Sequence, residues 1–125
     1  MSHFTRIKTQ LRHLNLVERA LRDLGYVPSV GRVAVRGWSG ETRRADLVVQ
    51  MPNRYDFGFK QVGEDLVLIV DDWGFGEDTA ELLGRIRQRY AYHVCVEQAA
   101  AQGFAVVGEE QQPDGSIRLV VQRYT

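Results

Sequence analysis

Cysteine is nearly absent: Cys95 stands alone, so no internal disulfide can form. That suits a reducing compartment. Long apolar runs are absent too. Leu66–Val70 is the longest and Leu119–Val121 is shorter, both far short of the roughly 20 residues that cross a bilayer as a helix. No membrane partner is expected. The first ten residues carry Arg6 and Lys8 with no apolar segment behind them, so no signal peptide is expected. The protein reads as cytoplasmic, or stromal if plastid-encoded. The histidines, His3, His13 and His93, include no pair at the i, i+4 spacing of a helical zinc site. Neither a GxGxxG turn nor a Walker lysine occurs. No cofactor, metal site or catalytic set is read from the chain.

Net charge is also lacking, but the zero total hides a split. Residues 1–60 hold 11 Lys/Arg against 5 Asp/Glu, a net of +6, and residues 61–125 reverse the counts to −6. Either the halves interleave and the charges mix, or a dipolar surface docks a charged partner or a second copy. What is present is ordinary: 125 residues, 44% hydrophobic and 26% charged. One domain over residues 1–125 is expected.

Local patterns predict the elements. Thr5–Leu11 alternates weakly, as a strand. Asn15 and Glu18 have capping-box spacing, and Val17, Ala20, Leu21 and Leu24 make one helical face that ends at Gly25. Strands follow at Arg32–Arg36, with Val33 and Val35 on one face, and at Ala45–Met51, with a turn at Trp38–Thr42. Tyr55, Phe57 and Phe59 alternate, which places all three rings on one sheet face. Gly63-Glu64-Asp65 turns the chain into a strand at Leu66–Val70. Asp78 and Glu81 open a long helix with Leu82, Leu83, Ile86, Tyr90, Val94 and Ala101 as its apolar set. After Gly103 come strands at Phe104–Val107 and Ile117–Val121, joined at Asp114-Gly115 by a tight turn with two positive φ angles. The order is β-α-β-β-β-β-α-β-β. This is an α+β fold: a mainly antiparallel sheet with two helices on one face. The far face awaits solvent, a second copy or a partner. Helix–Gly–aromatic junctions at Gly25-Tyr26 and Gly103-Phe104, each followed by Leu-Val-Val-Gln, hint at two αββ units.

The acidic stretch Asp71, Asp72, Glu77, Asp78, Glu81 does not match a calcium loop and reads as the dipole-favoured start of a helix. Five arginines between Arg32 and Arg54 surround Trp38. Such a face can bind single-stranded nucleic acid, but the balanced charge argues against it. Tyr92 and His93 lie off the apolar helix face and are candidate interface anchors. Trp38, Arg44, Tyr55 and Asp71 are the candidate lining of a pocket between sheet and helices. Arg36 and Trp73 complete the set of candidate binding residues.

Several stretches together resemble a known family. They are Met1-Ser2-His3-Phe4 with Ile7-Lys8-Thr9, Arg36-Gly37-Trp38-Ser39-Gly40, Ala45-Asp46-Leu47-Val48, Tyr55-Asp56-Phe57-Gly58-Phe59, Asp71–Gly74, Gln88–His93, Gly103-Phe104 and Asp114–Leu119. The chain is similar throughout to the conserved hypothetical chloroplast reading frame thirty-five family, of cyanobacteria, plastids and other bacteria. That family is classed as a domain of unknown function. Its gene neighbourhoods imply an accessory or adaptor role beside an AAA-type ATPase. The expected function is therefore a non-enzymatic interaction module, with a protein partner or self-association. A ligand-binding or catalytic pocket is the alternative.

Overall fold

In the computed structural model, which describes residues 2–123, the elements run in the expected order. They are β1 (Phe4–Lys8), α1 (Leu14–Asp23), β2 (Pro28–Arg36), β3 (Thr42–Val49), β4 (Phe57–Val62), β5 (Asp65–Asp71), α2 (Thr79–Ala101), β6 (Phe104–Gln111) and β7 (Ile117–Arg123). The fold is α+β and antiparallel, but the strands divide. A five-stranded sheet has the order β1-β5-β4-β3-β2, and β6-β7 forms a separate ribbon. Length explains the separation. Twenty-three residues at about 1.5 Å rise carry α2 roughly 34 Å. A seven-residue strand spans only about 23 Å. The helix overshoots the sheet, and the ribbon forms against the overshoot.

Both helices cover one face of the five-stranded sheet. Val17, Ala20 and Leu21 of α1 and Leu82, Leu83 and Ile86 of α2 pack on Leu47, Val49, Phe57, Phe59, Leu66, Leu68 and Val70. The space between sheet and helices is thus filled core. The residues expected to line a pocket there lie elsewhere: Trp38, Tyr55 and Asp71 at one end of the sheet, Arg44 exposed on β3. The far face is not left bare. Val35, Ala45, Val48 and Ile69 form a second apolar cluster, flanked by Phe4 and Val33. A bulge between Val30 and Val33 lets the outer part of the β2-β3 hairpin lie over Gly58. A Cβ built there would meet Val35 Cγ2 and the Leu47 carbonyl, each at 2.7 Å.

Helix starts differ in kind. Asp78 caps α2 as expected, accepting from the N–H groups of Ala80 and Glu81. The Asn15–Glu18 box does not form. The cap falls two residues earlier, at His13, with no side-chain bond. Tyr90 is the reason: its hydroxyl accepts from the N–H groups of Arg12 and His13, at 3.3 and 3.1 Å, and fixes the entry to the helix from outside. The apolar set of α2 is buried only as far as Ile86. Tyr90 and Val94 are half-buried and Ala101 is exposed, because the second half of α2 faces the narrow ribbon.

Tyr55 precedes β4 and does not extend the aromatic row of Phe57 and Phe59. The β6-β7 connection is longer than the expected two-residue turn. The Gly115 N–H donates to the Gln112 carbonyl, the Gln112 N–H to the Ser116 carbonyl, and Gly115 is at φ +88° while Asp114 is not at positive φ. Both αββ stretches share a helix, a positive-φ glycine (Gly25, Gly103) and a hairpin bulged in its first strand. They lie in different environments: Leu47 is buried and Leu119 half-buried.

Candidate functional site

Antiparallel pairing brings the start of β1, the start of β4 and the end of β5 to one end of the sheet, and the outer β2-β3 hairpin, folded back across Gly58, carries the end of β2 there, where the Asp56 N–H donates to the Arg36 carbonyl at 3.1 Å. Two buried carboxylates organise that end. Asp71, wholly inaccessible to solvent, accepts from three backbone donors. The His3 N–H and Trp73 N–H bond to Oδ1 at 3.0 and 3.1 Å, and the Trp38 N–H to Oδ2 at 2.8 Å. Burial alone would raise the Asp71 carboxyl. The amides of Trp38, His3 and Trp73 outweigh it and hold the pKa below the ordinary value. Gly37 permits this approach, since a Cβ there would lie 2.6 Å from Asp71 Oδ2.

Asp56 is also wholly buried. Its Oδ2 accepts from the Arg36 backbone N–H at 3.0 Å and from Arg36 Nε at 2.8 Å. Its Oδ1 accepts from Arg36 Nη2 at 3.0 Å and the Met51 N–H at 2.8 Å. Here too burial would raise the carboxyl, and the Arg36 side chain with the Met51 and Arg36 amides brings it below the usual value. Arg36 is raised in turn by its bond to Asp56. The fork geometry makes this a bidentate pair.

These anchors hold aromatic side chains in the open. Trp38 is 44% and Trp73 63% exposed, yet the backbone amides of both are tied to one carboxylate. His3 meets Trp73 edge-on, with ring centroids 4.6 Å apart. The Tyr55 ring lies where a Gly74 side chain would be. Beside Trp38, a cleft of about 580 Å³ is lined by Arg36, Arg54 and Tyr55 and by the Gly37–Gly40 turn. Ser39 and Arg54 there sit at φ +55° and +67°. Such strained positions concentrate at functional sites.

So the structure gathers Arg36, Trp38, Tyr55, Asp71 and Trp73, and leaves three candidates out. Arg44, exposed on β3 opposite Ala34 of β2, lines neither the cleft beside Trp38 nor the depression beside Trp73. Tyr92 and His93 belong to the α1–α2–β6 junction. There His93 Nε2 lies 2.7 Å from Asp23 Oδ2, Arg89 bridges Asp23 and Glu109 at 3.0 and 2.6 Å, and the Arg89 guanidinium stacks 4.3 Å from the Tyr92 ring centre. Sequence reasoning missed Asp56 and His3. Asp56 carried a signal: an acid between Tyr55 and Phe57 points away from the aromatic face and needs a partner there. In the acidic stretch, Asp71 binds amides, Asp78 caps α2 and Glu77 pairs with Arg85. Among the described residues no cluster of three or more His, Cys, Asp or Glu is placed to hold a metal. No helix among them is long and apolar enough to cross a membrane.

A family model described as "Protein of unknown function (DUF1257)" matches residues 20–120. The chain belongs to this family. Relatives named "Uncharacterized protein ycf35" agree along nearly their whole length. That of Pyropia yezoensis is 32% identical and that of Guillardia theta 34%, each over 99% of this chain and 98% of the relative. That of Cyanophora paradoxa is 30% identical with the same coverage. No solved structure gives a significant match. The resemblance drawn from the Arg36–Gly40, Tyr55–Phe59 and Asp71–Gly74 stretches is thereby established, and the family has no assigned function.

Proposed function

We propose that the chain is a non-enzymatic interaction module that docks a protein partner at the aromatic end of its sheet. One observation carries the reading: Trp38 and Trp73 are exposed while the backbone of each is fixed by the buried Asp71. Exposed indoles on a rigid support are favoured anchors, since little is lost in ordering them on binding. The partner we favour is an AAA-type ATPase, and the place of action the cytoplasm, or the stroma for plastid-encoded members. The test is direct binding of a purified AAA-type ATPase from the same organism to the immobilised chain. Trp38→Ala and Trp73→Ala should each weaken binding by about tenfold or more with melting unchanged. Equal affinity of the double variant would sink the reading.

The Arg36–Arg54–Tyr55 cleft favours a second reading, as a site for a small anion. Isothermal titration with inorganic phosphate and with citrate tests it. Saturable binding lost in Arg54→Ala would support it, and no heat with either anion would remove it.

A further inference from the structure

β1 is an edge strand: β5 pairs with one side of it, and among the described residues no strand covers the other. The Asp72 N–H donates to the His3 carbonyl, and the register pairs Phe4 with Asp71, Arg6 with Ile69 and Lys8 with Val67. The antiparallel alternation then turns the N–H and C=O groups of Thr5 and Ile7 toward β5 and those of Phe4, Arg6 and Lys8 outward. An outward row of this kind is a template for another strand.

Three features say what would pair there. Among the described residues, neither Arg6 nor Lys8 has an ion-pair partner. Arg6 and Arg43 flank Phe4 in a depression of about 400 Å³, and Arg43 lies 4.5 Å from the Phe4 ring centre. A second depression, of about 440 Å³, is lined by His3, Phe4, Thr5, Asp72 and Trp73 and joins the edge to the exposed indole, Asp72 being its one carboxylate. A second copy of β1 fits badly. Full antiparallel overlap of Phe4–Lys8 with itself would set Arg6 against Arg6, and like charges directly opposite destabilise a pair.

We infer that β1 receives an extended, acidic segment of the partner protein as a sixth strand, running along Arg6 and Lys8 and ending beside Trp73. This rests on the interaction-module reading and specifies its mode. Backbone bonds supply affinity in such strand addition, and the side chains that alternate along the strand supply selectivity. Arg6 and Lys8 select an acidic segment and discourage pairing with another copy.

The experiment titrates the isotope-labelled full chain with two capped decapeptides, one alternating Glu and Val, the other Lys and Val. The Glu-Val peptide should shift and protect the amides of Phe4, Arg6 and Lys8 and change Trp73 fluorescence. It should bind about tenfold tighter than the Lys-Val peptide, as two exposed charge pairs allow. Arg6→Pro removes one outward N–H and leaves the bonds to β5 in place, as edge strands tolerate. It should weaken binding about tenfold. The double variant Arg6→Glu, Lys8→Glu should reverse the preference between peptides, and it decides the matter if Arg6→Pro does not fold. No binding of Glu-Val, equal binding of both peptides, full binding by folded Arg6→Pro, or a peptide-free dimer paired through β1 would each overturn the inference. Failure here is separable from failure of the module reading. ATPase docking that needs Trp38 but survives Arg6→Pro removes strand addition alone. Peptide binding at β1 with ATPase docking indifferent to both indoles removes the module reading alone.

Discussion

Asp56 and Asp71 show how a single residue can organise a surface it does not reach. Both are wholly buried, and both carboxyls lie below their usual pKa because the donors of Arg36 and Met51, and of Trp38, His3 and Trp73, outweigh burial. A depressed folded-state pKa gives stability that is complete above the unfolded value, about 3.9, and is lost as pH falls through the folded value. Acid should therefore destabilise the native chain in the window below about pH 4. Asp56→Asn with Asp71→Asn should flatten that dependence, measured as urea stability from pH 6 to pH 2. An unchanged slope would mean the two carboxylates do not carry the linkage. Gly58 is a second residue with long reach. A Cβ there would meet the Leu47 carbonyl and Val35. Gly58→Ala should cost about 1–3 kcal/mol by overpacking, and thermal melting is the measurement. A neutral result would show that the β2-β3 hairpin does not rest on this position.

Elements differ in how firmly they are held. β4 and β5 are covered on one face by both helices, and Phe57 meets Tyr26 and Phe75 edge-on at 5.3 and 5.7 Å between ring centres. Phe57→Ala should cost roughly 3–5 kcal/mol in denaturant titration, and a loss under about 1 kcal/mol would place the ring outside the core. The β6-β7 ribbon rests on α2 and leaves Val107, Val120 and Val121 exposed. Two strands by themselves are marginal in water. Its backbone amides should exchange with solvent well before those of β4 and β5. Arg89 joins Asp23 of α1 to Glu109 of β6, and its pKa is raised chiefly by the bond to Glu109. Arg89→Met should speed ribbon exchange and leave the sheet unaffected. Equal protection throughout would mean that ribbon and sheet open together.

For the whole molecule, the charge split resolves into two behaviours. Arg12 and Arg19 pair with Asp65 and Glu97, and Asp23 with Arg89 and His93, so along the helices the halves neutralise each other. On the sheet, Arg6, Lys8, Arg43, Arg44 and Lys60 have no ion-pair partner among the described residues. These unpaired cations lie on the sheet, the side from which we expect docking. Raising salt from about 0.05 to 0.5 M shortens the screening length severalfold. Partner affinity should fall by roughly tenfold over that range, read by surface binding or sedimentation. A flat response would take these cations out of recognition.

What the sequence determined by itself was local. Leu66–Val70 reads as a strand, Asp78 as a cap and Gly103 as a helix end because each signal lies within a few neighbouring residues. Strand order within the five-stranded sheet, the separation of the ribbon and the folding of Val35 over Gly58 depend on contacts between distant segments, and periodicity does not encode those. The candidate site divides in the same way. Trp38, Tyr55 and Trp73 stand out in the chain as aromatic residues beside glycine or charge. Only tertiary structure pairs Asp56 with Arg36, twenty residues away, and ties Asp71 to Trp38, thirty-three away. Burying a carboxylate is costly until such donors reach it, so its role is settled only when the loops that carry them have come together.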